Sequence, residues 1–545
     1  MKSILDEPFK KTKKKGNSKT FTLISLVLLS LFVVQSFSNV ISVKSHFHFN
    51  NPHKDKVNTK AKKNVIMMVT DGMGPASLSL TRSFRQFTDD LPINDILTID
   101  KHLIGSSRTR SSSSLVTDSA AGATAFSCGL KSYNGAIGVD PSKSPCGTIL
   151  EGLKLQGYLT GLVVTTRITD ATPAAFSSHV NYRWQEDLIA QHQLGESPLG
   201  RVVDLIIGGG RTHFYPIAEG GSRTDGRNLI KEYSKTWNYV GNRQEFDELN
   251  SGENVTLPLL GLLADYDIPY DLDRDSKEYP SLAEQTRTAL RALSKATEDS
   301  DQGFFLLIEG SRIDHAGHAN DPSAQVREVL AYDEAFKEVL DFIDSSDVET
   351  VAISTSDHET GGLVTARQIN SNYPDYLWYP EVLFNSKHSG EYLAHKILTQ
   401  KSNTESVEDF LVKVFEEDMG IKNFSKEELQ LVKNTNDASE LMYILNNMIS
   451  IRSQTGWTTH GHSAVDVNIY AYTNSPSIKE KLYSHKENVG LLGNHENIEI
   501  GKFMANITGV DFEEITKKIK GIEHNPLEVE QFSIDNYHPS FNDIN

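Results

Sequence analysis

Acidic residues stand at the ends of apolar runs in this chain. Asp71 follows the run 64–70, Thr169-Asp170-Ala171-Thr172 follows 161–166, Glu309 follows 304–308, and Asp357-His358 follows 350–355. Stability gives no reason to end four apolar runs on acidic sites, whereas a shared ligand at one sheet edge does. Asp314 and His318 lie four residues apart, so one helical turn can aim both at one ion. A further histidine, His460 or His462, follows downstream, and its spacing alone does not choose between the two. Mixed imidazole and carboxylate ligands suit zinc, and carboxylates with a hydroxyl suit magnesium. An isolated Asp-x-x-x-His is ordinarily a surface ion pair; its company at several run ends points to metal.

The stretch Thr117-Asp118-Ser119-Ala120-Ala121-Gly122 carries the second signal. Asp118 or Ser119 can cap the Ala-rich helix that begins here, and capping alone would account for both residues. The same position puts Ser119 where free N–H groups and the helix dipole favour a phosphate. A serine hydroxyl is a weak nucleophile without a base or a metal. No histidine adjoins it, so a metal is the expected activator. Gly208-Gly209-Gly210-Arg211 lacks the Lys-Ser/Thr of a phosphate loop and reads as a turn.

The elements that must position these groups follow from the runs themselves. Residues 64–70, 161–166, 202–207, 304–308, 350–355 and 467–472 are continuous apolar or β-branched stretches, as strands buried on both faces require. Between them, Ser323–Asp344 places Val326, Val329, Leu330, Phe336, Val339, Leu340 and Ile343 on one helical stripe. Strand and helix in alternation predict an α/β fold, one largely parallel sheet between helix layers. Residues 370–450 are the least patterned block and read as an insertion in a domain spanning 63–508. The acid-rich tail 509–545 is expected outside the core.

The chain has 545 residues, ample for one large α/β domain with insertions. Its net charge of −18 argues against nucleic acid as a partner. That charge is uneven: seven lysines against Asp6 and Glu7 make residues 1–20 +5 and leave −23 for the rest. Phe21–Val43 then runs 23 residues without a formal charge, enough to span a bilayer as a helix. The basic tip ahead of it predicts a signal anchor with a cytoplasmic N-terminus, a polar stalk over 44–62, and a lumenal body. A cleaved signal peptide fits less well, because the polar lead is long and no A-x-A-like site follows. Sequons at Asn254, Asn423 and Asn506 agree with a lumenal body. Cys128 and Cys146 could pair there or remain two thiols; no disulfide-rich scaffold or zinc-finger set is available from two cysteines.

Taken in order, Asp71-Gly-Met-Gly74, Asp118-Ser119-Ala120, Thr169-Asp-Ala-Thr-Pro-Ala174, His179-x-x-x-Arg183, Glu309-Gly-Ser-Arg-Ile-Asp314-His-x-x-His318 and Asp357-His358 resemble the alkaline phosphatase family. The motifs span 392 residues, from Asp71 to His462. The basic tip and anchor resemble the yeast-type vacuolar branch of that family. The resemblance implies a three-layer fold, two Zn2+ and one Mg2+, a homodimer, and hydrolysis of varied phosphate monoesters through a phosphoserine. It implies Asp314, His318 and His462 at the first zinc, and Asp71, Asp357 and His358 at the second. Asp71, Thr172 and Glu309 would hold magnesium. Ser119 would be the nucleophile, Arg183 the phosphate clamp, and Asp118 the group orienting it. His462, rather than His460, follows from the family's spacing between this ligand and the next apolar run. The resemblance also implies a vacuolar membrane location and a removable C-terminal propeptide.

Charge counting agrees with that assignment. Three divalent ions bring +6, and Asp71, Glu309, Asp314 and Asp357 bring −4. With a Ser119 alkoxide and Arg183 the site stays positive, which suits a phosphate dianion better than a diester. This weighs against a phosphodiesterase or phosphomutase of the same superfamily, and the full set of chemical residues weighs against a binding protein without catalysis. Asp170 resembles the bacterial enzymes and His315 the animal ones, and both are expected just behind the magnesium and the phosphate. His179 and Trp184, which flank Arg183, read as packing residues.

Overall fold

The computed structural model describes residues 61–520 apart from Asp375. The basic tip, the uncharged stretch 21–43, nearly all of the stalk and residues 521–545 lie outside the described residues. Among the described residues, no helix is long and apolar enough to cross a membrane.

Twelve strands are present among the described residues: β1 (Lys63–Val69), β2 (Leu103–Arg108), β3 (Leu159–Arg167), β4 (Leu205–Gly209), β5 (Asn238–Val240), β6 (Leu259–Leu262), β7 (Phe304–Glu309), β8 (Glu349–Thr355), β9 (Glu359–Thr360), β10 (His462–Ser463), β11 (Val467–Thr473) and β12 (Gly493–Glu496). Ten form one sheet in the order β12-β2-β11-β8-β1-β7-β3-β4-β6-β5, and β9 and β10 pair separately. All six apolar runs overlap strands of the large sheet, although the run 202–207 enters β4 only at Leu205. Its pairings are parallel except where β11 meets β2 and β8.

Alternation along the central strands explains why their sequence is apolar throughout. Val65, Met67 and Val69 of β1 enter one core, while Ile66 and Met68 enter the other. Phe305 and Leu307 of β7 join the first core, and Phe304, Leu306 and Ile308 the second. Each such side chain, fully buried, contributes on the order of 1.5–3 kcal/mol.

Helices cover both faces. The labels used below are α1 (Pro75–Thr88), α2 (Ser119–Cys128), α3 (Ile149–Leu155), α4 (Ala171–Ser177), α5 (Leu282–Ala296), α6 (Arg312–His318), α7 (Pro322–Ser345), α8 (Ala438–Ser453), α9 (Ile498–Thr508) and α10 (Phe512–Lys520). On one face lie α2, α3, α4 and α9; on the other lie α5 and α7. Ser281 caps α5 in a capping box with Glu284, and Asp321 caps α7 ahead of Pro322.

The block expected as an insertion is helical from Pro380 onward and builds its own apolar cluster, with Leu393, Ile397, Phe415 and Leu445 at its centre. Leu80 and Phe84 of α1 and Val326 of α7 share that cluster, which seats the block on the main domain. The tail corrects an expectation. Rather than leaving the core at residue 509, the chain forms α10, whose Ile515 and Ile519 are buried in the first core. Two apolar residues four apart define a helical face that the surrounding acids and lysines obscure. Cys128 and Cys146 are joined by a disulfide, with Cα atoms 6.0 Å apart.

Candidate active site

Register brings the acidic groups together. β1 lies between β7 and β8, with Val69 opposite both Glu309 and Thr355. Asp71, Glu309 and Asp357 therefore leave the same edge within two residues of those positions. β3 pairs with β7 on its far side, so Asp170 and Thr172, at the start of α4, arrive beside Glu309. α6 supplies Asp314 and His318, and β10 delivers His462 by pairing with Thr360 of β9.

Two groups of three ligands result. In one, the ligand atoms of Asp314, His318 and His462 lie within 4.8 Å of one another, and in the other so do those of Asp71, Asp357 and His358. His462 Nε2 is 3.1 Å from His318 Nε2, which is 3.2 Å from Asp314 Oδ2. His358 Nε2 is 3.1 Å from Asp357 Oδ2 and 3.5 Å from Asp71 Oδ1. Thr360 bridges the groups: its hydroxyl donates to Asp314 Oδ1 at 2.5 Å and accepts from His358 Nδ1 at 3.2 Å.

The outer nitrogens decide what these histidines can bind. His462 Nδ1 donates to the Thr117 carbonyl at 2.8 Å, and His318 Nδ1 donates to the His460 carbonyl. A carbonyl can only accept, so both Nδ1 atoms carry the proton, and both Nε2 atoms face inward as lone pairs. Two lone pairs and a carboxylate converging at these distances are a donor set for a cation. Burial, then the neighbouring His358, keeps His462 well below the usual imidazole range and hence neutral, the ligand form.

The second group makes the same demand. Asp71 Oδ1 and Asp357 Oδ2 are buried and accept no hydrogen bond. Burial, together with Asp357, Asp314 and Glu309, raises the Asp71 carboxyl well above its ordinary range. Burial also pushes Glu309 up to about 8, opposed by the hydroxyls of Ser311 and Thr172. Four carboxyls in one dry edge need positive charge to stay ionised, and the residues present fit divalent ions.

Ser119 begins α2 and is almost wholly buried, with Oγ 3.0 Å from His358 Nε2. Gly122, one turn on, allows that approach: a Cβ there would lie 2.9 Å from the Asp357 Cβ. Asp118 caps the helix by accepting from the Ala121 N–H at 3.0 Å, while its other oxygen accepts from the Gly135 N–H at 2.9 Å. Arg183 stands between two carboxylates, 3.5 Å from Asp118 Oδ2 and 2.9 Å from Asp170 Oδ1. Ser119 thus stands at a helix start, in contact with the second ligand group through His358, next in the chain to the aspartate that meets Arg183.

His315 stands 3.5 Å from Asp267, and its imidazole is lowered by burial. His179 lies away from this edge, donating to the Gly138 carbonyl and facing Glu151 at 2.8 Å. Trp184 stacks on Tyr182 with ring centres 4.5 Å apart. His460 is exposed, with its ring 4.0 Å from that of Tyr443 on α8. Asn254, Asn423 and Asn506 are all exposed. Sequence reasoning missed Arg167, Glu186 and Asp267, which form a buried charged cluster behind Asp170. An arginine closing an otherwise apolar run was the one available signal.

The family model described as alkaline phosphatase matches residues 62–510. The chain is 58% identical over 521 residues to the repressible alkaline phosphatase of Saccharomyces cerevisiae, covering 92% of this chain and 89% of that one. It is 48% identical over 475 residues to the alkaline phosphatase of Schizosaccharomyces pombe, covering 86% and 85%. Among solved structures, the cold-active alkaline phosphatase from a psychrophilic Shewanella sp. superposes with a TM-score of 0.67 at 32% identity, covering 82% of this chain and 99% of that one. With motif, edge geometry and relatives in agreement, the chain belongs to the alkaline phosphatase family, whose chemistry is the hydrolysis of phosphate monoesters.

Proposed function

We propose that Asp314, His318 and His462 hold one Zn2+, that Asp71, Asp357 and His358 hold a second, and that Asp71, Thr172 and Glu309 hold Mg2+. Bound divalent ions would neutralise phosphate charge and favour the alkoxide of a nearby hydroxyl. Ser119 Oγ attacks the phosphorus, the ester P–O bond breaks, and the alcohol leaves with a proton. Water then cleaves the phosphoserine, releasing phosphate and restoring the hydroxyl. Arg183 holds two phosphate oxygens in its plane, and Asp118 and Asp170 hold Arg183. The observation that carries this is Ser119 Oγ at 3.0 Å from His358 Nε2 of the second ligand group, beside Asp118, whose carboxylate stands 3.5 Å from Arg183. A broad substrate range accords with recognition centred on the phosphate.

Hydrolysis of a chromogenic phosphate monoester, with and without chelator, tests the reading. Activity should disappear on chelation and return with zinc and magnesium, and elemental analysis should give two zinc and one magnesium per chain. Chelator-resistant turnover, or a preference for diesters, would overturn it.

The body is further proposed to face the lumen of a vacuole from a single-pass anchor at 21–43, as a glycosylated homodimer. The basic tip, the uncharged stretch, the disulfide and three exposed sequons support this orientation. Protease protection of the body in sealed vesicles, a mobility shift on deglycosylation, and the mass of the detergent-solubilised particle test the parts separately. The end of the mature chain, read by mass spectrometry, tests the propeptide.

A further inference from the structure

Gly208-Gly209-Gly210-Arg211 takes no part in the site as a phosphate loop, yet it shapes what lies behind the site. Gly210 has φ +85°, and a Cβ there would fall 2.7 Å from the Cβ of Arg167. The turn after β4 thus leaves room for Arg167 at the end of β3, where the β3–β4 register slips between Val163 and Arg167.

Arg167 is 5% exposed and meets three carboxylates with three different nitrogens. Its Nε donates to Glu186 at 3.0 Å, its Nη1 donates to Asp267 at 2.9 Å, and its Nη2 stands 3.4 Å from Asp170 Oδ2. Its backbone N–H also donates to Asp267, at 2.9 Å. The other oxygen of Asp170 is the one that meets Arg183 Nη2 at 2.9 Å, shorter than the 3.5 Å contact from Asp118. Asp170 is therefore strung between a guanidinium fixed in the core and a guanidinium at the site, one oxygen to each. A buried ion cluster is weak evidence for stability, because apolar packing commonly serves as well. Directional control is what a planar, three-pronged donor adds.

We infer that Arg167 is a positioning residue which, acting through Asp170, fixes the plane in which Arg183 meets a phosphate dianion. The inference rests on Arg183 being the phosphate clamp. Glu186 and Asp267 hold Arg167 in its own plane, so the geometry passes from core to site through one carboxylate.

A double-mutant cycle tests it on the full chain reconstituted with zinc and magnesium. Inorganic phosphate is the probe, read as its inhibition constant against a chromogenic monoester. Arg167→Lys should weaken phosphate inhibition about tenfold in the native background and less than about twofold beside Asp170→Asn, the non-additivity expected of residues in one network. Glu186→Gln, which keeps its shape and touches neither Asp170 nor Arg183, should weaken inhibition about threefold and lose that effect beside Asp170→Asn. It decides the matter where Arg167→Lys fails to fold. Equal effects in the two backgrounds, or a lowered melting temperature with unchanged phosphate inhibition, would overturn the inference. Arg183→Ala serves as the control: unchanged phosphate inhibition there would remove the clamp itself, and the inference with it.

Discussion

His318 and His460 hold each other through their backbones. The Nδ1 of His318 donates to the carbonyl of His460, and the Nδ1 of His460 donates to the carbonyl of His318 at 2.8 Å. One residue ends α6 and the other lies in the loop before β10, so the pair ties two distant segments at the first ligand group. The two histidines are nevertheless unequal. His318 turns its Nε2 toward His462, whereas His460 lays its ring against Tyr443.

That inequality predicts the outcome of removing either histidine of Thr459-His460-Gly461-His462. His462→Ala should lose zinc and most activity, since its Nε2 faces His318 at 3.1 Å and Asp314 at 3.6 Å. His460→Ala should be mild, with metal affinity changed less than about tenfold, because the backbone carbonyl that fixes His318 survives the substitution. Zinc content after dialysis against a weak chelator measures both. The reverse ranking would show His460 to be the ligand.

Ser119→Ala should lower turnover by orders of magnitude and leave phosphate binding largely intact. In the proposed mechanism the hydroxyl would form the covalent bond, whereas Arg183 and the ligand groups, which would bind the phosphate, are untouched. Rapid-quench trapping of phosphoserine and phosphate inhibition measure the two effects separately. Wild-type turnover in this variant would end the nucleophile assignment.

Arg183→Lys is not conservative here. A lysine ammonium replaces a fork that is held by Asp118 on one side and Asp170 on the other, and it cannot offer two coplanar donors. The expected loss in kcat/KM for a monoester is about 1–3 kcal/mol, the worth of one charged hydrogen bond. An unchanged kcat/KM would count against the clamp.

How much of this was legible in the sequence depends on where each residue sits. The central strands were legible because burial on both faces leaves an unbroken apolar run, as in β1 and β7. The strands beyond β11 carry no such signal. β12 reads Gly-Asn-His-Glu and β2 ends Gly-Ser-Ser-Arg, and both are identified only by their neighbours in the sheet. The antiparallel direction of β11 is likewise a property of the path between strands, not of its residues. The candidate ligands Asp71, Glu309, Asp357 and His358 were legible because acids close apolar runs, and Asp314 with His318 because they lie one helical turn apart; their division into two groups came from the family resemblance. The Arg167–Asp267–Glu186 cluster was not, since those residues are distant in sequence and meet only when β3 and its neighbours are assembled.

Glu328 is a buried carboxylate on α7, away from the ligand groups. Its Oε1 accepts from the Asp271 N–H at 2.6 Å, and burial, with the nearby Asp271 charge, pushes its pKa up to about 7. An unfolded glutamate titrates near 4.5. The folded state therefore binds this proton more tightly than the unfolded state does. Stability from that difference is complete below about pH 4.5 and is lost as pH rises to about 7, beyond which the penalty is constant. Glu328→Gln keeps an oxygen to accept from Asp271 and has no charge to bury. It should be nearly neutral at pH 4.5–5 and should stabilise the protein at pH 8 by roughly 1–3 kcal/mol. Denaturant unfolding of the reconstituted protein at the two pH values checks both size and sign. A variant equally destabilised at both would show that Glu328 is ionised and well paired in the fold, contrary to the burial argument.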